Sequence, residues 1–445
     1  MNSPTILAGR DARANSEPFV WLLILPVLVV AVANVTYLWS GTTSLTDNQH
    51  PESLAVYWAK QVAEGKPLYT DFRQWPYNLT SFGPVYYFAL GNVTRWFHLS
   101  EGAMFVWGRR LIFSACIAIA LLIYWKGKQD TGQTASGFLG SLVFLSSYPL
   151  WPSASVCRPD IMAAFFSISG LLIYLHWKDR PLRMAALPLF VLAFFAKLSY
   201  VSAPAGICLY QLMRRNWKES ILFGGLYAIS VISIIAAMDF TTHGLSTLNN
   251  ITSNMGAPMR LFNVRIVSGN FLQQAPLAAI LSFAGLAAIT WKRLEGIYFI
   301  LALFSAILSS AKLGSGVNYF LEPLMAGCLL VAPGIQAISR FIAQGDRARL
   351  YFLSLLAALF WVLMIPPFNY LLQTLRNPWV PSETEVRQLV RAASGPVITE
   401  NARLCLISRI PMLGDPFTLS ALELRGLWSS RELVQMLQKH QIEYV

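Results

Sequence analysis

Charge is what this sequence has least of. Only 13% of its 445 residues are Asp, Glu, Lys or Arg, where a soluble domain carries about a quarter. With 55% hydrophobic residues, that deficit excludes a soluble globular chain and implies a polytopic membrane protein. Cysteine is sparse too. Cys116, Cys157, Cys208, Cys328 and Cys405 are scattered, with no pair at metal or redox spacing. The five histidines form no cluster, and His50 has no second ligand at zinc spacing. Nucleotide motifs are missing: Gly314-Ser315-Gly316 has neither the strand–loop–helix context nor the Gly-Lys-Ser of a phosphate loop. The net charge of +12 calls for no nucleic acid, because basic residues belong in the inner loops of a membrane protein.

What is present is a series of apolar runs. They predict helices at 18–38, 105–125, 135–151, 159–177, 219–238, 273–291, 295–311, 319–341 and 350–371. The first reads as a signal anchor, with no small-residue cleavage site. Residues 184–213 are apolar around Lys197 and are flanked on both sides by basic clusters. Both clusters prefer the inner side, so the segment goes out and returns as two short helices with Lys197 at the tip. The expectation is an all-α polytopic membrane protein of about eleven transmembrane helices, with a large first outer loop at 39–104. Residues 1–373 form the membrane module and 374–445 a small extracytoplasmic α/β domain. In that tail, Pro381 to Val386 reads as a helix start, Val397-Ile398-Thr399 and Leu404 to Ile407 as strands, Ser429 to Lys439 as a helix, and Ile442 to Val445 as a last strand.

Several polar residues stand where a membrane protein avoids them. Asp47 follows the first span by about ten residues. Glu52 to Ala63 has the apolar pattern of a helix lying on the membrane surface. Asp160, in Arg158-Pro159-Asp160, sits at the outer mouth of the fourth span. It serves equally as a functional acid or as the acid at a helix N-terminus behind Pro159. Arg109, Arg110, Arg158, Lys197 and Lys312 are basic residues on the outer side, against the inner-side bias, and a phosphate at the outer leaflet would account for them. The four Asn-x-Thr triplets, at Asn34, Asn78, Asn92 and Asn250, read as coincidence.

Together these residues resemble the GT-C superfamily of membrane glycosyltransferases. Asp47 resembles its acid after the first span. Gly65-Lys66-Pro67-Leu68-Tyr69-Thr70-Asp71-Phe72 and Gly83-Pro84-Val85-Tyr86-Tyr87 are similar to its first-loop segments. Arg158-Pro159-Asp160 resembles the second acidic position of the family 39-like and aminoarabinose-transferase-like members. Phe195 to Ser199 resembles their hairpin lysine, and Asn318-Tyr319-Phe320-Leu321-Glu322-Pro323 a segment of bacterial members. Many relatives have an Asp-Glu pair in the first loop; here Asn48 follows Asp47, so the second carboxylate of that pair is missing.

The resemblance implies inverting transfer of a sugar from a polyprenyl-phosphate donor to a glycan, lipid or protein acceptor. Transfer occurs on the extracytoplasmic face of a bacterial inner membrane, with the N-terminus inside. Asp47 is then the general base, and Asp160 orients the acceptor or base, or helps hold a metal. Lys197, Arg109, Arg158 and Lys312 bind the donor phosphate, and Tyr69, Asp71, Tyr86, Tyr87, Asn318, Tyr319 and Glu322 bind substrate. The resemblance fixes no cofactor and leaves a divalent metal open. The alternatives are a transporter or flippase of a lipid-linked sugar, which calls for polar residues near mid-membrane, and a non-catalytic scaffold or sensor.

Overall fold

The computed structural model describes residues 4–43, 50–255, 258–289, 293–343, 347–376, 396–400, 402–408, 411–439 and 443–444. The N-terminal part gives α1 (Pro4–Thr43), α2 (His50–Ala63), α3 (Pro84–Phe97) and α4 (Glu101–Thr131). Next come α5 (Thr134–Leu145), α6 (Trp151–Ala154), α7 (Asp160–His176), α8 (Ala186–Ala196), α9 (Ser202–Met213) and α10 (Trp217–Thr242). Then follow α11 (Leu245–Asn250), α12 (Leu261–Gln274), α13 (Pro276–Ala288), α14 (Leu294–Ser310), α15 (Leu321–Ala343) and α16 (Arg347–Arg376). The C-terminal segment adds β1 (Val397–Ile398), α17 (Ala402–Ser408), β2 (Met412–Gly414), α18 (Pro416–Glu423), α19 (Arg431–Gln438) and β3 (Glu443–Tyr444).

Each apolar run read as a span is largely helical. Among the described residues five helices are long and apolar enough to cross a bilayer, with a sixth if the pair α12–α13, bent by 92°, is one span. The protein is therefore an integral membrane protein. α5, α7, α14 and Pro181–Ala196 are shorter apolar helices. α12 falls within the stretch read from sequence as a loop (239–272), and α13 holds most of the run read as a span (273–291); the two meet at 92°. Pro276 opens α13, where its missing N–H and fixed φ start a new helix rather than continue the old one.

α15 is the central helix: 83% of its apolar window is buried, against 11% for the peripheral α10. α13 lies so close to α15 that a Cβ at Gly285 would sit 2.1 Å from the Leu330 carbonyl oxygen. Small residues permit such contact where lipid supplies no hydrophobic drive between helices.

The segment read as the first outer loop, residues 39–104, is more ordered than its sequence suggests. α2 was expected; α3 was not. Pro84 occupies the first turn of α3 behind Gly83, and the helix buries Tyr86, Tyr87, Leu90, Gly91 and Thr94. The C-terminal segment covers the same loop. Phe72, Tyr77 and Leu79 pack with Leu419, Leu422 and Trp428, while Val397, Ala402, Cys405 and Met412 pack against Leu54 and Tyr57 of α2. Asn78 Nδ2 donates to the Met412 carbonyl at 2.7 Å.

The three strands form one parallel sheet in the order β2-β1-β3. Residues 404–407, read as a strand, are helical in α17, and β2 was not anticipated. The helix start expected at Pro381 lies outside the described residues. Of the four Asn-x-Thr asparagines, Asn34, Asn78 and Asn250 are buried and Asn92 is half-buried.

Candidate active site

The break between α8 and α9 positions the centre of the site. α8 and α9 have 11 and 12 residues, about 17–18 Å each at 1.5 Å per residue, too short for a bilayer core of about 30 Å. α8 ends at Ala196, and Lys197 is extended, with φ −152° and ψ 117°. Its side chain reaches the first residue of α7, where the Lys197 ammonium donates to Asp160 Oδ1 at 2.5 Å. Asn318, on the 3-10 turn Val317–Phe320 before α15, donates to the same oxygen at 2.8 Å. Arg158 Nε stands 3.3 Å from Asp160 Oδ2. The Asp160 carboxylate is wholly buried and Lys197 nearly so. Two cations thus share one carboxylate, and Arg158 Nε makes no hydrogen bond within the described residues.

Aromatic rings from two directions enclose the cations. The Lys197 ammonium lies 4.5 Å from the centre of the Tyr319 ring, and the Arg158 guanidinium 6.0 Å from that of Phe82. Gly83 lets the loop between α2 and α3 close on this point: a Cβ there would lie 1.9 Å from the Phe195 carbonyl oxygen at the end of α8. The loop therefore seats directly on the turn that presents Lys197. Tyr69 and Tyr87 are buried beside one another, and Arg158 acts on Tyr87 electrostatically. Burial pushes both hydroxyls above the ordinary tyrosine range, so they stay neutral hydrogen-bonding groups.

A second buried ion pair ties the loop to the bundle. Arg109 donates from Nε and Nη2 to the two oxygens of Glu52, both at 2.6 Å, and neither side chain is exposed. Glu52 Oε1 also accepts from the Cys157 backbone N–H at 2.8 Å. One carboxylate thereby joins α2, α4 and the residue preceding Arg158. Tyr86 packs into the same place, its hydroxyl 2.8 Å from where a Cβ on Gly108 would be.

No protein-family model matches the chain, and no curated protein matches it in sequence. Its architecture does match solved structures. ArnT from Cupriavidus metallidurans, bound to undecaprenyl phosphate, superposes with a TM-score of 0.60 at 13% identity, over 92% of this chain and 90% of ArnT. The Archaeoglobus fulgidus oligosaccharyltransferase, tethered to an acceptor peptide containing the NVT sequon, superposes at 0.57 and 11% identity, over 89% of this chain and 64% of that one. The chain has the GT-C fold.

On this GT-C scaffold the residues singled out from sequence fall into three groups. Asp160, Lys197, Arg158, Asn318 and Tyr319 come together. Arg109 does not join them, because its guanidinium is committed to Glu52. Glu52 was named from sequence only as the start of the helix Glu52 to Ala63. Its signal was its position, one helical turn before Ala55 and Val56 on the buried face of α2.

The third group makes contacts of its own. Asp71 pairs locally with Arg73, which donates from Nε at 2.8 Å and Nη2 at 2.9 Å and holds the carboxyl below the usual carboxylate range. Lys312 is set in a turn by main-chain contacts, with Leu313 N donating to Pro258 O and Asn263 Nδ2 to Lys312 O. Glu322, one turn after Asn318, accepts from Ser202 at 3.0 Å and from Ser167 and Tyr298 at 3.3 Å. Asp47 and the His50 side chain lie outside the described residues. Among the described residues no group of three or more His, Cys, Asp or Glu side chains is placed to hold a metal ion.

Proposed function

We propose that this protein is a membrane glycosyltransferase that moves a sugar from a polyprenyl-phosphate donor to an acceptor hydroxyl at the extracytoplasmic face. The observation that carries this reading is the buried Lys197–Asp160–Arg158 cluster, roofed by the first outer loop on a GT-C fold. The ArnT structure contains undecaprenyl phosphate, a ligand of the class this cluster suits.

Lys197 and Arg158 hold the donor phosphate. As the acceptor oxygen attacks the anomeric carbon, the bond from that carbon to phosphate breaks. Negative charge then builds on the departing lipid phosphate, and two fixed cations in a poorly solvated site stabilise it with little reorganisation. Asp160 is already engaged by Lys197 and Asn318, so it serves as the anchor that orients both cations rather than as a proton acceptor. Asp47 is the proposed general base, taking the acceptor proton as the configuration inverts. The remaining short apolar helices complete about eleven crossings of a bacterial inner membrane, with the N-terminus inside.

The test is transfer from a panel of labelled polyprenyl-phosphate sugars by purified protein in lipid. Wild type is compared with Asp47→Asn and Lys197→Ala. Label should leave the lipid with wild type and be lost with both folded variants. Full activity in Asp47→Asn removes that residue as base. Tight donor binding with no release from any donor replaces transfer with transport.

A further inference from the structure

The end of the bundle opposite Asp160 carries a cavity and a groove that join. α7 runs from Asp160 to His176, 17 residues, about 25 Å at 1.5 Å per residue. At its far end lies a cavity of about 520 Å³, whose lining includes the charged residues Lys126, Asp130, Lys178, Arg293 and Glu295. Beside it an apolar groove of about 650 Å³ runs between α4 and α7, lined by residues such as Leu121, Leu122, Phe165 and Ile173. Trp125, Leu172 and His176 line both. Leu121 and Trp125 are 61% and 41% exposed, so the groove opens on the outer surface of the helices, where acyl chains lie.

The cavity's charges are not matched evenly. Lys126 holds both acids, with Asp130 at 2.5 Å and Glu295 at 2.7 Å. Arg293 lies close enough to act on the same two carboxylates. Lys178 is exposed and has no ion pair within the described residues. Three cations therefore face two acids, and an indole stands at the boundary between polar and apolar space, the position Trp favours at a membrane interface.

We infer that this joined cavity and groove is a binding site for an anionic glycerophospholipid. Its phosphate lies by Lys178 and Arg293, and an acyl chain lies along α4 and α7. The site is separate from the proposed transfer centre, and its ligand is a lipid of the surrounding bilayer rather than the sugar donor. Cations at a membrane surface favour anionic lipid by roughly fivefold each.

The experiment is native mass spectrometry of delipidated full-length protein given equal amounts of phosphatidylglycerol and phosphatidylcholine with identical chains. Wild type should retain phosphatidylglycerol selectively. The double variant Lys178→Ala, Arg293→Ala should lose most of that preference, and Ala118→Trp, which narrows the groove, should weaken both lipids. Equal retention of the two lipids by wild type overturns the inference whether or not any variant folds. Selectivity unchanged in the charge variant also overturns it. Displacement of the lipid by free glycerol phosphate at comparable concentration leaves an anion pocket without a lipid site, and overturns the acyl-chain half.

Discussion

Replacing Asp160 by Asn tests the proposed centre most directly. The amide keeps the shape and removes the charge. Lys197, 2.5 Å away, and Arg158, 3.3 Å away, then face each other across a buried site with no carboxylate between them. Removing one partner of a buried ion pair costs about 3–5 kcal/mol, because the surviving charge stays desolvated. Asn318 adds to the cost, since its Nδ2 now meets a side chain that can present either an oxygen or a second NH₂. The double variant Asp160→Asn, Lys197→Met removes one stranded cation and should recover most of the lost stability. It should not recover transfer, because it also lacks a cation for the phosphate; losses of about 10²–10³-fold accompany removal of one such charge-stabilising donor. Unfolding by denaturant in mixed micelles reads the first quantity, and single-turnover release of label from the donor reads the second. The reasoning fails if Asp160→Asn is as stable as wild type, or if the double variant regains wild-type turnover.

Three further outcomes follow from particular contacts. Gly83→Ala drives a Cβ into the Phe195 carbonyl, which is backbone and cannot step aside; overpacking of this kind costs about 1–3 kcal/mol, and cleavage by protease within residues 64–83 should speed up. Arg109→Met strands Glu52 and should destabilise by about 3–5 kcal/mol, while adding Glu52→Gln should return much of the loss; donor KM in the folded double variant should stay near wild type, unlike that of Lys197→Ala. The Asp71–Arg73 pair gives a pH signature. Arg73 lowers the folded-state pKa of Asp71, so its stabilisation is present above the ordinary value of 3.8 and is lost as pH falls through the lower folded value. Arg73 is 55% exposed, so solvent screens the pair to below about 1 kcal/mol. Wild type and Asp71→Asn should therefore differ slightly in melting temperature at neutral pH and converge in acid.

The helices of this chain were legible because an apolar run in a membrane has few other structures open to it. The break at Lys197 was legible for a related reason: two basic flanks cannot both be inside unless the chain turns back between them. Local pattern failed where runs were short. Residues 404–407 are four apolar residues, which fit a strand or one helical turn equally well, and packing on α2 decides for the helix. α3 was missed because its aromatics suggested an interfacial belt. Yet Gly83-Pro84 ahead of residues buried at 86, 87, 90, 91 and 94 carries a helical period.

The site was legible only in its members. Arg109 and Arg158 looked alike in sequence, each a basic residue at an outer span end. The fold separates them by what each meets. Glu52, 57 positions away in the chain, takes Nε and Nη2 of Arg109. Arg158 shares Asp160 with Lys197, whose ammonium lies 2.5 Å from that carboxylate, so its own charge is only partly answered. A phosphate is drawn to the cation whose charge is least satisfied, and that property belongs to a set of neighbours rather than to any residue. This is why the centre is sought at Lys197 and Arg158, and why neutralising Asp160 should disturb it more than any single change on the exposed loop.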